Sequence, residues 1–190
     1  MDHRPADSDR LDIRASLEGE EDAYARLVRR YQPLVSAQMW RFTRDRDILA
    51  ELAQDVFVEV YLSLGSYRGR APFLHWVRRI ATRVGYRYWK RQARERRRRV
   101  AFAEWKRSPP SLGMDPSPSE AAVYLQALLE QLDPPDRLVL TLQCFEGCNT
   151  REIADRTGWS RALVKVRAHR ARCKLRAKLT RMGWRRGEDA

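Results

Sequence analysis

Between residues 47 and 64, Ile48, Leu52, Val56, Val60 and Leu64 recur at every fourth position, joined by Leu49, Ala53 and Phe57. A four-residue step keeps side chains on one face of a helix, so this stretch predicts an amphipathic helix with Glu51, Gln54, Asp55 and Glu59 toward its polar side. One face packs and the other is left to bind. Residues 20–42 carry a similar rhythm through Ala23, Leu27, Val28, Tyr31, Leu34, Val35 and Met39, which predicts a helical pair or one helix bent near Pro33. After Tyr67-Arg68-Gly69-Arg70-Ala71-Pro72, whose Gly and Pro punctuate the chain, residues 73–98 read as one long helix. Farther on, Val123, Leu125, Leu128, Leu129 and Leu132 predict one helix and residues 136–145 another, parted by Asp133-Pro134-Pro135. Strand-like alternation is missing throughout, so the expected fold class is all-α.

The Pro- and Ser-rich stretch around Pro109, Pro110, Pro116 and Pro118 cannot hold a helix and is poor in large apolar residues. It marks a flexible linker over residues 101–118, between two small helical domains at 20–100 and 119–183. A 190-residue chain is long enough for two such domains, each with a modest core. Residues 1–19 form an acidic lead, expected to be disordered from Asp2 to Asp12, and residues 184–190 a tail.

Charge sharpens this picture. The formal net charge is +13, and its placement is uneven: residues 68–107 hold 15 Lys/Arg against 2 Asp/Glu, and residues 150–186 hold 13 against 2. A merely solubilised surface intersperses the two signs, so two segregated basic blocks point to two contacts with a polyanion, and nucleic acid is the natural one. The first block is aromatic as well as basic. Phe73, Trp76, Tyr86, Tyr88 and Trp89 interleave with Arg78, Arg79, Arg83, Arg87, Lys90, Arg91 and Arg94. Single-stranded nucleic-acid binders need both, π faces for unstacked bases and cations for the backbone. The plainer reading, aromatic core and solvated arginines, is the better one for Phe73 and Trp76.

The second block has the punctuation of a helix-turn-helix. Thr150 is placed to cap a first helix, Ala154 is small where two helices cross, Gly158 supplies the turn, Ser160 caps a second helix and Val164 plugs the core between them. In such motifs the second helix enters the major groove. Its exposed residues here are Arg161, Lys165, His169 and Arg170, with Arg167, Arg172 and Lys174 nearer the backbone.

Taken together, the two halves resemble the sigma-70 superfamily, specifically its extracytoplasmic-function group of RNA polymerase sigma factors. The likeness rests on Asp22-Ala-Tyr-Ala-Arg-Leu-Val-Arg-Arg-Tyr, Glu51-Leu-Ala-Gln-Asp-Val-Phe, Tyr67-Arg-Gly-Arg-Ala-Pro-Phe-Leu-His-Trp, Leu132-Asp-Pro-Pro-Asp-Arg and the run from Phe145 to Arg172. The resemblance implies that the first domain is region two and the second is region four. It implies docking of Glu51, Gln54, Asp55 and Val58 on the clamp coiled coil of the largest subunit of core RNA polymerase. For minus-10 DNA it implies recognition and melting through Tyr67, Arg68, Gly69, Arg79, Arg83 and Arg87. For minus-35 DNA it implies binding through Arg161, Lys165, Arg167, His169 and Arg170, with the polymerase flap also meeting region four. It further implies a cognate anti-sigma factor, no cofactor and no catalytic residue. The chain departs from the family in two places. Arg83, which only donates hydrogen bonds, stands where Asn is usual, and Ala162-Leu163-Val164-Lys165-Val166 replaces Gly-Thr-Val-Lys-Ser, exchanging two hydroxyls for apolar side chains.

Competing readings fit less of the chain. A helix-turn-helix regulator acting without polymerase leaves the aromatic-basic helix and the acidic face with no task. A nuclease or recombinase needs a metal or acid-base cluster, whereas His3, His75 and His169 are far apart and carboxylates lack metal-ligand spacing. Cys144, Cys148 and Cys173 give no disulfide framework and fit a reducing compartment; Cys144 and Cys148, at i,i+4, read as near-core thiols on one helical face, and no metal is expected. Residues 1–22 hold no apolar stretch of signal-peptide length, and no later run reaches the length of a membrane span, so a cytoplasmic protein without membrane insertion is expected.

Overall fold

A computed structural model of the protein describes residues 4–100, 125 and 127–181, and every regular element among them is helical. The expected 101–118 linker, Val123 and the 184–190 tail lie outside the described residues. None of the described helices is long and apolar enough to cross a membrane. The chain divides into two compact units, Met1–Trp89 and Lys90–Ala190.

The first unit is built from α1 (Arg4–Leu17), α2 (Glu21–Met39), α3 (Arg46–Ser63), a 3-10 turn (Leu64–Ser66) and the start of α4 (Phe73–Val100). Asp45 starts α3 by accepting from the Asp47 and Ile48 backbone N–H groups, satisfying donors that the first turn leaves unpaired. Most of the periodic residues pack as the spacing predicts: Leu27, Tyr31, Val35 and Met39 of α2, Leu52, Val56 and Val60 of α3, and Phe73, Val77, Ile80 and Val84 of α4 are all buried, whereas Leu34 of α2, counted in the same rhythm, faces outward. Residues 21–39 form a single helix that contains Pro33.

The acidic lead is a correction. Expected to be disordered from Asp2 to Asp12, the lead is helical over residues 4–17, and α1, packed on α2, buries carboxylates along with one large apolar residue, Ile13. Asp9 and Asp12 are buried. Asp9 Oδ1 accepts from Arg30 Nη1 at 2.6 Å and its Oδ2 from the Tyr31 hydroxyl at 2.5 Å, while Asp12 accepts from Arg26 Nε and Arg30 Nη2, both at 2.7 Å. Burial alone raises the pKa of Asp12, but the two guanidiniums outweigh it and hold the carboxyl below its usual value. Leu11 and Leu17 of α1 face outward, so hydrophobic periodicity could not reveal this helix.

The second unit holds a helical stretch at 127–130, α5 (Pro134–Cys144), α6 (Thr150–Thr157) and α7 (Arg161–Arg181). Leu129, Leu132, Leu140 and Ala171 form a buried cluster, flanked by Leu125, Phe145 and Leu175. Asn149, not Thr150, caps α6. Its side-chain oxygen accepts from the backbone N–H groups of Arg151 and Glu152 at 2.9 and 3.0 Å, and Glu152 Oε2 accepts in return from the Asn149 N–H at 2.8 Å. Either residue type can cap, but only Asn149 has a Glu at the third helical position to close the box. Gly158 ends α6 with φ 77°, a conformation that L side chains resist, and Ser160 Oγ accepts from the Leu163 N–H to begin α7.

Candidate nucleic-acid interface

Four surfaces carry the residues singled out by sequence. On α3, Glu51, Gln54, Asp55 and Val58 are all exposed and share one stripe, since their positions fall within about 100° on a helix of 3.6 residues per turn. The stripe continues into Tyr61 and Leu62, exposed by 56% and 77%, which with Val58 at 50% make an apolar strip beside the acidic one. These two apolar residues were missed by the sequence reading, although Leu62 follows Val58 at i+4 on the same track. Tyr61 is held edge-on by Tyr24, with centroids 4.9 Å apart. The Tyr24 hydroxyl donates to the Phe57 carbonyl, and burial raises its pKa to about 12.

The loop after the 3-10 turn presents an aromatic cluster. Phe73 is buried and stacks on Trp76 with centroids 5.5 Å apart, while Tyr67 meets Phe73 edge-on at 5.2 Å and Trp76 at 5.5 Å. From behind, Tyr31 supports Phe73 at 5.4 Å. Tyr67 is pinned further by donating to the Ala71 carbonyl at 2.6 Å, and burial followed by the negative charge of Asp9 raises its phenol pKa. Arg68 and Gly69, at the tip, are exposed. Tyr67 and Trp76 are both half-buried, and Tyr67 adjoins the exposed Arg68 and Gly69.

Along α4, Arg79, Arg83 and Arg87 form an exposed i,i+4 row leading away from that cluster. Partial desolvation and then the neighbouring charge of Arg79 press the pKa of Arg83 below its usual value. Arg87 is not free: its guanidinium pairs with Glu59 of α3. Trp89, grouped by sequence with the base-stacking aromatics, belongs instead to the core. It is 4% exposed, lies 4.5 Å from Phe42 centroid to centroid, and donates from Nε1 to the Phe42 carbonyl at 2.9 Å.

In the second unit, Val164, Ala168 and Ala171 bury one side of α7 and leave Arg161, Lys165, His169 and Arg170 exposed on the other. Arg167 is drawn inward. Its Nη1 lies 3.3 Å from Oδ1 of Asp136, which is fully buried, and Lys174 Nζ reaches Oδ2 of the same carboxylate at 2.6 Å. Lys174 also bonds Asp133 at 2.9 Å, and this bond is the chief reason that the Asp133 pKa is lowered. Two of the cations nearest the backbone by sequence thus fasten α7 to α5. Arg172 has a weaker tie, its Nη1 standing 3.4 Å from Gln143 Oε1.

The cysteines do not share a helix face. α5 stops at Cys144, which is exposed, and Cys148 lies beyond the turn, buried, its N–H donating to the Leu142 carbonyl at 2.9 Å. Cys173 is exposed, its Sγ 3.6 Å from His169 Nε2. Among the described residues, no group of three or more His, Cys, Asp or Glu is arranged to hold a metal ion.

Comparison with known proteins places both halves of the chain in one family. The family model for Sigma-70 region 2 matches residues 27–95, and that for Sigma-70, region 4 matches residues 122–175. RNA polymerase sigma factor CarQ of Myxococcus xanthus is 31% identical over 162 residues, which cover 84% of this chain and 90% of that protein. The ECF RNA polymerase sigma-E factor of Escherichia coli K12 is 25% identical over 187 residues, covering 87% and 91%. Among solved structures, CnrH in complex with the cytosolic domain of CnrY superimposes with a TM-score of 0.57 at 26% identity, covering 91% of this chain and 97% of that one. The sigma factor RpoE of Bartonella quintana, bound to the anti-sigma factor NepR, shares the fold with a TM-score of 0.54 at 18% identity.

Proposed function

The chain belongs to the sigma-70 family of RNA polymerase sigma factors, in its extracytoplasmic-function group, and from that premise we propose how its residues divide the work of promoter-specific initiation. Glu51, Gln54, Asp55 and Val58 dock on the clamp coiled coil of core RNA polymerase, with Tyr61 and Leu62 extending the same contact. The loop at Tyr67, Arg68 and Gly69, with Arg79, Arg83 and Arg87 beyond it, receives the melted minus-10 strand. Arg161, Lys165, His169 and Arg170 grip the minus-35 duplex, and Arg167 reaches phosphate from its place beside Asp136.

The observation that carries this reading is the aromatic cluster of Tyr67, Phe73 and Trp76 at the foot of an exposed arginine row. Base–aromatic stacking is worth about 1–3 kcal/mol per base, comparable to the cost of unstacking one, so a prebuilt ring surface beside cations lets promoter sequence decide whether the strand opens. Arg87 changes partner on binding DNA, from Glu59 to phosphate. Such an exposed ion pair contributes only about 0–1 kcal/mol, so the exchange is easy. Bond making is left to the polymerase; the chain supplies recognition and melting, needs no cofactor, and acts in the cytoplasm under a cognate anti-sigma factor.

The test is reconstitution. Purified protein mixed with core polymerase lacking any sigma subunit is expected to co-migrate with it and to direct specific transcripts from a promoter library. Tight duplex binding without any core binding would replace this reading with a polymerase-independent helix-turn-helix regulator.

A further inference from the structure

Among the described residues of the second unit, the exposed large aliphatic side chains are Leu163, at 40%, and Val166, at 45%. A single exposed aliphatic residue needs no explanation. These two, however, are neighbours at i,i+3 and occupy the third and sixth positions of α7, in the first two turns of the helix that a helix-turn-helix places in the major groove. Val166 stands about 200° around the helix from buried Val164, on the side opposite the core.

Cations frame the pair. Leu163, Val166 and Arg170 follow one stripe at i, i+3 and i+7, and Lys165 and His169 run alongside at i,i+4. Arg161, Lys165, His169 and Arg170 are all exposed, and among the described residues none of Arg161, Lys165 and Arg170 is in an ion pair. A surface with charge at its margins and aliphatic carbon at its centre matches a duplex groove approached from above, with phosphates at the rims and base edges at the floor. On that floor one group is apolar, the C5 methyl of thymine. Neither side chain can donate or accept a hydrogen bond, so neither reads the donor and acceptor pattern of the other bases.

We propose that Leu163 and Val166 are specificity-determining residues that read thymine methyl groups in the minus-35 element, an inference that rests on the promoter-binding reading of α7. The element then contains thymine, on either strand, at the one or two positions the pair covers, and the surrounding cations anchor the helix without setting those positions.

Uracil tests this directly, because it lacks only the methyl. The full-length protein with core polymerase is used to select duplexes from a library randomised across the minus-35 region, and each selected thymine is then replaced singly by uracil. Affinity is expected to fall about fourfold at each contacted thymine, the effect of leaving one methyl-sized group unburied, and to be unchanged elsewhere. Val166→Ser or Leu163→Ser, each helical by circular dichroism and still bound to core, is expected to lose that sensitivity at its own position. A specific element that contains no thymine, or whose uracil versions bind wild-type protein equally well, overturns the proposal while leaving the promoter reading intact. So does a uracil penalty that both serine variants retain in full. Failure to select any element, with core still bound, removes the assignment of α7 to promoter DNA and the methyl reading with it.

Discussion

A β-carbon added at Gly85 would meet the ring carbons of Phe42 at 2.5 Å, closer than packed atoms tolerate. That ring cannot swing aside, because Phe42 is buried and leans on Trp89, which is itself tied to the Phe42 carbonyl. Ala is the better helix former by about 1 kcal/mol, but overpacking a closed core costs about 1–3 kcal/mol. Gly85→Ala is therefore expected to destabilise the first unit by up to about 2 kcal/mol, seen as a lower urea midpoint with an unchanged slope. Tyr67 tests function at the same grain. If its half-buried ring takes part in capturing a base, Tyr67→Ala should weaken initiation on duplex promoters by roughly tenfold, within the stacking range, and much less on templates already melted at minus-10. An equal loss on both templates would mean that the ring only shapes the loop.

Helix α1 shows how a polar sequence makes a packed element. Asp9 and Asp12 enter the interface only because Arg26, Arg30 and Tyr31 of α2 meet them there, and an unpaired buried carboxylate would be costly. Since the folded pKa of Asp12 is depressed, its contribution is fully present above its unfolded value of about 3.9 and is lost as pH falls through the folded value. The protection of α1 and α2 amides against hydrogen exchange should accordingly drop on acidification below about pH 4. Asp12→Asn should cost about 1–3 kcal/mol at neutral pH, the worth of hydrogen bonds to a charged group, and should flatten that acid decline. The analogous knot in the second unit, Asp136 with Arg167 and Lys174, fastens α7 to α5 and draws Arg167 partly out of solvent, while Lys174 stays exposed.

Across the whole molecule, a net charge of +13 concentrated in two blocks makes ionic strength the governing variable. Duplex binding is expected to weaken linearly in log–log form with salt, by a slope of about −0.9 per phosphate neutralised. Lys165→Ala should make that slope shallower by about one, whereas Val166→Ser should shift affinity without altering it; fluorescence anisotropy over a salt series separates the two. Much of this was legible in the chain itself. Helical class followed from four-residue spacing, the helix-turn-helix from Gly158, Ser160 and Val164, the break before α4 from Gly69 and Pro72, and the two basic blocks from segregated charge, because each of these is written in local order. What only the folded molecule decided is which charges meet. α1 was invisible because its buried face sets Asp9, Asp12 and Ser16 around a single large apolar residue, Ile13, Trp89 joined the core because Phe42 lies against it, and Arg87 and Arg167 were claimed by Glu59 and Asp136. Periodicity reports the face a residue takes on its own helix, but the partner that neutralises it comes from another element, tens of residues away, and is set only when the two faces are brought together.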